Sequence, residues 1–245
     1  MPLSATLAER RCRMNMTVGR FFLLLIAVLA GFAYAVWRGH VDVPGKWNPW
    51  APLDIRERPN LLTTFKLKRL QDDRSLCEQA LTTSDLNYVA VPDSTPQAGC
   101  PVENAVRIRG SAVRFNSPFL ATCPLAAAYA LFERHGLQPA AQAVFNQPVV
   151  RIDHFGSFAC RNIARSNRRS QHASANALDL AGFHLQDGTR ITVARDWSGD
   201  GDKARFLREV KAAACNAFSI TLSPEYNAAH HDHFHVDMGG FGLCR

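Results

Sequence analysis

Four of the chain's nine histidines fall within six residues, in the string His230-His231-Asp232-His233-Phe234-His235. On an extended strand successive side chains alternate faces, so His233 and His235 point the same way and can address one ion. A second dense stretch lies earlier: Ser170-Gln171-His172, and then Asp179 within Ala177-Leu178-Asp179-Leu180. A carboxylate inside an apolar strand is costly unless it is paired or bound to a cation. A histidine and a carboxylate from one element, with a histidine from another, complete a three-ligand set. Catalytic zinc usually has three protein ligands and a fourth position open to water. Nitrogen and oxygen donors suit Zn2+, and their spacing leaves other divalent metals open.

Several elements must position these groups. Thr64–Ala80 reads as one or two amphipathic helices, and Val106–Phe115 as strands with a glycine break. Cys123-Pro124 opens a helix that lines up Leu125, Ala128, Tyr129 and Phe132 and is expected to end at Gly136. Val149–Phe155 reads as a strand, and residues 161–170 as an arginine-rich polar loop. Ala177–Leu185 and Arg190–Ala194 flank Gln186-Asp187-Gly188 as a hairpin. Asp202 is placed to cap a helix over Lys203–Cys215, with Phe206, Leu207, Val210 and Ala214 inward. A last strand is expected near His233–Asp237. Strands mixed with separate helices indicate an α+β fold, in which a small antiparallel sheet carries the site and helices flank it.

The 245 residues are 47% hydrophobic and 20% charged, an ordinary globular composition. The net charge of +7 is uneven, because the first forty residues hold five arginines against one glutamate. No basic helix is interleaved with aromatics, so nucleic acid is not an expected partner. The run Phe21–Trp37 is the one stretch of membrane scale. Arginines before it predict that residues 1–20 stay in the cytoplasm and the body is exported. It serves either as an inner-membrane anchor with a periplasmic body or as a signal cleaved near Ala33-Tyr34-Ala35. Residues 38–60, with four prolines, read as a linker, and residues 61–245 as the functional domain. Cys12 precedes the apolar run. The other six cysteines (Cys77, Cys100, Cys123, Cys160, Cys215 and Cys244) follow it and read as three disulfides among fifteen pairings. The stretch Asp196–Asp202 lacks the closing glutamate of a calcium loop and reads as a turn.

The segment from Ser170 to Asp179 resembles the S-x-H-x-x-G-x-A-x-D pattern of LAS-type metallopeptidases, the D-Ala-D-Ala carboxypeptidases and murein endopeptidases, with Ala175 in place of the glycine. His230, His233 and His235 are similar to the H-x-x-H-x-H of the endopeptidase form. This resemblance implies that His172, Asp179 and His235 bind zinc. It also implies His233 as general base, with Asp232 as competitor because it stands three residues before His235, where the carboxypeptidase form has a glutamate. His230 would orient a ligand or donate to the leaving group. Arg161 matches the upstream arginine that stabilises an oxyanion or holds a substrate carboxylate, as a guanidinium can. Ser170 would hold His172 through a local hydrogen bond.

A closer resemblance covers most of the exported part. Cys160-Arg161-Asn162, Arg169–Ala173, the Ala177–Phe183 strand, the helix ending near Cys215 and the terminal Cys244-Arg245 look like the bacterial extensin-like C-terminal domain family. The expectation is a periplasmic zinc hydrolase acting on peptidoglycan peptide stems. A wall-binding or scaffolding module without turnover, and a metal hydrolase of another amide, are the competing readings.

Overall fold

The structure is a computed structural model that describes residues 7–240 and 242–245, with side chains from residue 18 onward. Residues 1–6 of the basic N-terminus, and the side chains of Arg10, Arg11, Cys12 and Arg13, lie outside the described part. The chain divides into two units, residues 1–51 and 52–245. The first holds helix α1 (Leu7–Trp37), in which the twenty residues Val18–Trp37 are apolar and long enough to cross a membrane, at about 30 Å. The body begins inside the proline-rich stretch, because Leu53 and Ile55 are buried in its core.

Two short helices open the body, α2 (Thr63–Arg69) and α3 (Arg74–Leu81). The Asp73 carboxylate caps α3 by accepting from the Leu76 amide at 2.9 Å. Six strands follow: β1 (Asn87–Val91), β2 (Ser94–Gln97), β3 (Cys100–Val102), β4 (Ala105–Gly110), β5 (Arg114–Phe115) and β6 (Phe119–Thr122). Strands β1, β4 and β6 form an antiparallel sheet of their own, and β2 pairs with β3. Helix α4 (Cys123–Phe132) carries Pro124 in its first turn and is buried on every side, as its nearly all-apolar sequence requires.

Gly136 does not end that helix. A π-helical stretch, Glu133–Leu137, carries the chain straight into α5 (Gln138–Phe145), and Asn146 in the left-handed conformation stops it. Gly136 is there for packing: a β-carbon on it would lie 2.6 Å from that of Ala213 on the opposing helix.

The second half builds the sheet that matters. It contains β7 (Val149–His154), β8 (Ala177–Leu185), β9 (Arg190–Thr192), the short α6 (Val193–Asp196), α7 (Asp202–Ala217), β10 (Ile220–Leu222), β11 (Phe234–Asp237) and β12 (Leu243–Cys244). The strand order is β12-β10-β11-β8-β7-β5, with β9 also on β8. This is larger than the small antiparallel sheet expected. It has seven strands, and two of its pairs, β10 with β12 and β5 with β7, are parallel. The hairpin β8–β9 forms where Gln186-Asp187-Gly188 placed it. Asp202 is the first residue of α7 and pairs with Arg205, with Gly201 as the cap. The inward set of α7, Phe206, Leu207, Val210 and Ala214, is buried as expected.

Leu178 and Leu180 of β8, with Phe234 and Val236 of β11, enter the core that α4 and α7 share. The intervening Asp179 and His235 take the other face by strand alternation. Three disulfides use all six cysteines that follow the apolar helix: Cys77–Cys123 joins α3 to α4, Cys100–Cys160 joins β3 to the loop after β7, and Cys215–Cys244 joins α7 to β12. With sequence separations of 46, 60 and 29 residues, chain entropy assigns each about 3.5–4.5 kcal/mol. Full reduction should lower the thermal midpoint followed by circular dichroism by more than about 10 °C; an unchanged midpoint contradicts the cross-linked fold.

Candidate metal centre

Strand register delivers two of the groups. In the antiparallel pair of β11 and β8, His235 stands directly opposite Asp179, which brings their side chains together on one face. His235 Nδ1 is 2.9 Å from Asp179 Oδ1. The third group comes from a single 3-10 turn, Gln171–Ser174, just before β8. Ser170 caps this turn, its hydroxyl accepting from the His172 amide at 3.3 Å, which is the local bond expected of it. His172 Nε2 then lies 3.2 Å from Asp179 Oδ1 and 3.1 Å from His235 Nδ1. The chain leaves the turn through Ala175, whose φ of +55° is left-handed. This is the position where the resembled motif has glycine, and the left-handed conformation costs alanine about 1 kcal/mol. Burial of its methyl group beside Val102 and Ala105 offsets that cost.

The far sides of both rings are held. His172 Nδ1 donates to the Ser157 carbonyl at 3.0 Å, and His235 Nε2 donates to Asp237 Oδ2 at 3.0 Å. A carbonyl and a carboxylate can only accept, so these bonds fix where each ring carries a proton. In the neutral rings, His172 Nε2 and His235 Nδ1 then present lone pairs to each other and to the Asp179 carboxylate. Three acceptors within 3.2 Å repel unless a positive charge sits among them. His172 is buried, whereas 14% of the Asp179 side chain and 12% of the His235 side chain remain exposed, so the cluster is open on one side. These three are the His/Asp group whose donor atoms are close enough together to hold one metal ion, and their donor set fits zinc.

The electrostatics report the same crowding. Burial opposes ionisation of Asp179, but its interactions with the His172 and His235 rings outweigh it and hold the carboxyl well below the usual range. Burial likewise opposes the charge of His235, but its bonds to Asp179 and Asp237 prevail and raise its pKa to about 9. Without metal, a proton on His235 occupies the position between the three acceptors.

His233 precedes β11 and faces the same centre, with Nε2 3.5 Å from Asp179 Oδ1. Its Nδ1 donates to Asp232 Oδ1 at 2.8 Å. The chain is still turning at Asp232, so this carboxylate reaches the neighbouring ring rather than the opposite face. His230 ends the 3-10 turn Ala228–His230, with its ring 5.3 Å from that of His233 and 5.8 Å from that of His235. Its Nδ1 donates to Asn227 Oδ1 at 2.8 Å. Burial, reinforced by electrostatic interaction with His235 and His233, lowers its pKa to about 4. His231 is exposed and turned to the Ala228 carbonyl, outside the site. Arg161 lies on the exposed loop, near enough for its charge to add to the lowering at His230. Among the described residues its guanidinium makes no hydrogen bond to the cluster.

Two of the supporting groups were not picked out from sequence. Asp237 had a readable signal, since it follows His235 by two on one strand and so shares its face. The Ser157 carbonyl is main chain, placed by the loop after β7, and no residue type announces it.

The family model described as extensin-like protein C-terminus matches residues 75–245. Comparison with curated proteins and with solved structures gives no match.

Two outcomes follow from the geometry. Asp237→Ala should weaken zinc binding by about 10- to 100-fold without abolishing it, read by competition with a chromogenic chelator; unchanged affinity removes Asp237 as the support of His235. Metal must also displace the His235 proton, which is held below about pH 9. Binding near pH 7 should therefore release about one proton, and affinity should rise about tenfold per pH unit until about pH 9. Calorimetry in buffers of different ionisation enthalpy checks this, and no proton release contradicts it.

Proposed function

This chain belongs to the extensin-like protein C-terminus family, and we propose that in this member the His172–Asp179–His235 cluster holds zinc and serves hydrolysis of an amide bond in peptidoglycan peptides. The observation that carries the proposal is the convergence of two fixed histidine lone pairs and a carboxylate at one partly open point. Hydrogen bonds from the far ring nitrogens to a carbonyl and a carboxylate are the usual support of metal-binding histidines. The resemblance to LAS-type metallopeptidases, carried by the segment Ser170–Asp179 and by His230, His233 and His235, supplies the reaction class. The family name implies no role in plant walls.

Zinc bound there would supply Lewis acidity, making water a nucleophile near neutral pH and polarising the scissile carbonyl. The chain's own groups do the rest. His233 has a lone pair on Nε2 directed into the site, because Asp232 holds the proton on Nδ1. It takes a proton from the attacking water and passes it to the departing amine. Asp232 keeps that ring oriented, and this replaces the competing-base role considered for it. His230, kept neutral by burial, accepts a hydrogen bond rather than donating to the leaving group. Arg161, on the exposed loop beside His230, is available to a substrate oxygen or carboxylate.

Location follows the same reading. The apolar helix and three disulfides fit a domain outside the cytoplasm. The uncleaved inner-membrane anchor is preferred to a cleaved signal, with the body facing the periplasmic wall.

One observation favours a second reading. A protonated His235 between Asp179 and Asp237 satisfies the cluster with no metal, as a wall-binding or scaffolding module would need.

The test uses the full chain in detergent with purified murein, with and without chelator, and mass spectrometry of the released fragments. Metal-dependent release of peptide fragments is expected. His233→Ala should keep its zinc and lose about 100-fold or more in rate. Zinc bound without cleavage of any wall substrate favours the second reading, and an active His233→Ala variant removes His233 as base.

A further inference from the structure

Beside the cluster lies a cleft of about 290 Å³ that the chemistry above does not use. It is joined to the site by Asp232, which lines the cleft and also accepts from His233 Nδ1. Its volume is at the lower end for a ligand pocket, enough for one or two peptide residues.

Two features of its walls point to a ligand. Phe155 lines it with 62% of its surface exposed, edge-on to the His233 ring at 5.7 Å between centroids. An aromatic open to solvent beside a residue of the site is placed to cover the apolar atoms of a ligand. The two arginines of the cleft differ in their commitments. Arg190 is paired with Asp153 at 3.2 Å. Arg195, among the described residues, hydrogen-bonds through Nε to Thr192 Oγ1 at 3.0 Å, and this leaves its two terminal nitrogens for a ligand. Terminal guanidinium nitrogens present parallel donors that match a carboxylate.

We infer that this cleft is a substrate subsite: it takes a carboxylate-bearing residue of the peptide next to the scissile bond, with Arg195 binding the carboxylate and Phe155 covering the adjoining apolar atoms. The inference deepens the hydrolase reading and rests on it for the identity of the peptide. The carboxylate comes either from a side chain or from the peptide terminus, and both present the same chemistry to Arg195. Among the described residues Arg195 makes no hydrogen bond to the metal cluster, and Phe155 reaches it only through its backbone amide, which donates to the Asp179 carbonyl at 2.9 Å; the two side chains therefore govern affinity while the centre governs turnover.

The experiment measures binding, apart from cleavage. Full-length zinc-loaded protein in detergent is titrated with three synthetic wall-stem peptides: one with side-chain and terminal carboxylates free, one with the side chain amidated, and one with the terminus amidated. Wild type should lose roughly tenfold in affinity for one of the amidated peptides, and that peptide identifies which carboxylate is bound. Arg195→Ala should lose the same factor for the free peptide and nothing further for that amidated twin, while its zinc affinity stays at the wild-type value. Equal losses for all three peptides, or no loss, overturn the subsite, as does failure of wild type to bind any of them. Cleavage that ignores Arg195 sinks the subsite alone. Arg195-dependent binding without cleavage sinks the hydrolase reading and leaves the subsite standing.

Discussion

Three acceptor atoms held within 3.2 Å of one another need a positive charge between them, and the second half of the chain is organised around that requirement. Asp179 Oδ1, His172 Nε2 and His235 Nδ1 are brought together by strand register and one tight turn. The Ser157 carbonyl and the Asp237 carboxylate keep the rings from turning away. A proton on His235 meets the requirement in the absence of metal, and a divalent cation meets it with all three groups at once. Which cation the site holds therefore separates a metal centre from a proton-bridged cluster, and turnover separates an enzyme from a binding module.

The elements around the cluster make it rigid where it binds and open where a substrate would enter. Strands β8 and β11 are central in their sheet and send Leu178, Leu180, Phe234 and Val236 into the core, so Asp179 and His235 stand on backbone that is paired on both sides. The loop from Gly156 to Ser170 is irregular, yet the Cys100–Cys160 disulfide ties it to β3. The rim of the site carries exposed Phe155 and Tyr226, each edge-on to a histidine of the site. Precision on strands and accessibility on loops is the usual division between a scaffold and the groups it presents.

Much of this was legible in the sequence because it depends on local periodicity. The alternation that puts His233 and His235 on one side, the misfit of Asp179 in an apolar strand, and the inward stripe of α7 all follow from strand or helix geometry. What was hidden depends on distant packing. Gly136 reads as a helix stop, but its meaning lies in Ala213, far along the chain on α7. The pairing of six cysteines is set by the topology of β3, β12 and α4, which spacing does not encode. Asp232 looked like a rival to His233 because it stands three residues before His235; the turn before β11 brings its carboxylate against the His233 ring and makes the two a pair. The edge strands β1, β5 and β12 are short and weakly patterned, and tertiary pairing decides them.

The cation is the central claim, and anomalous diffraction at the zinc absorption edge tests it most directly. A crystal of the protein purified with zinc and without chelator should show one strong anomalous peak about 2.0–2.2 Å from His172 Nε2, His235 Nδ1 and an Asp179 carboxylate oxygen. Absence of a peak among these three atoms, with the His235 ring hydrogen-bonded to Asp179 and Asp237 on its two sides, would contradict the metal centre.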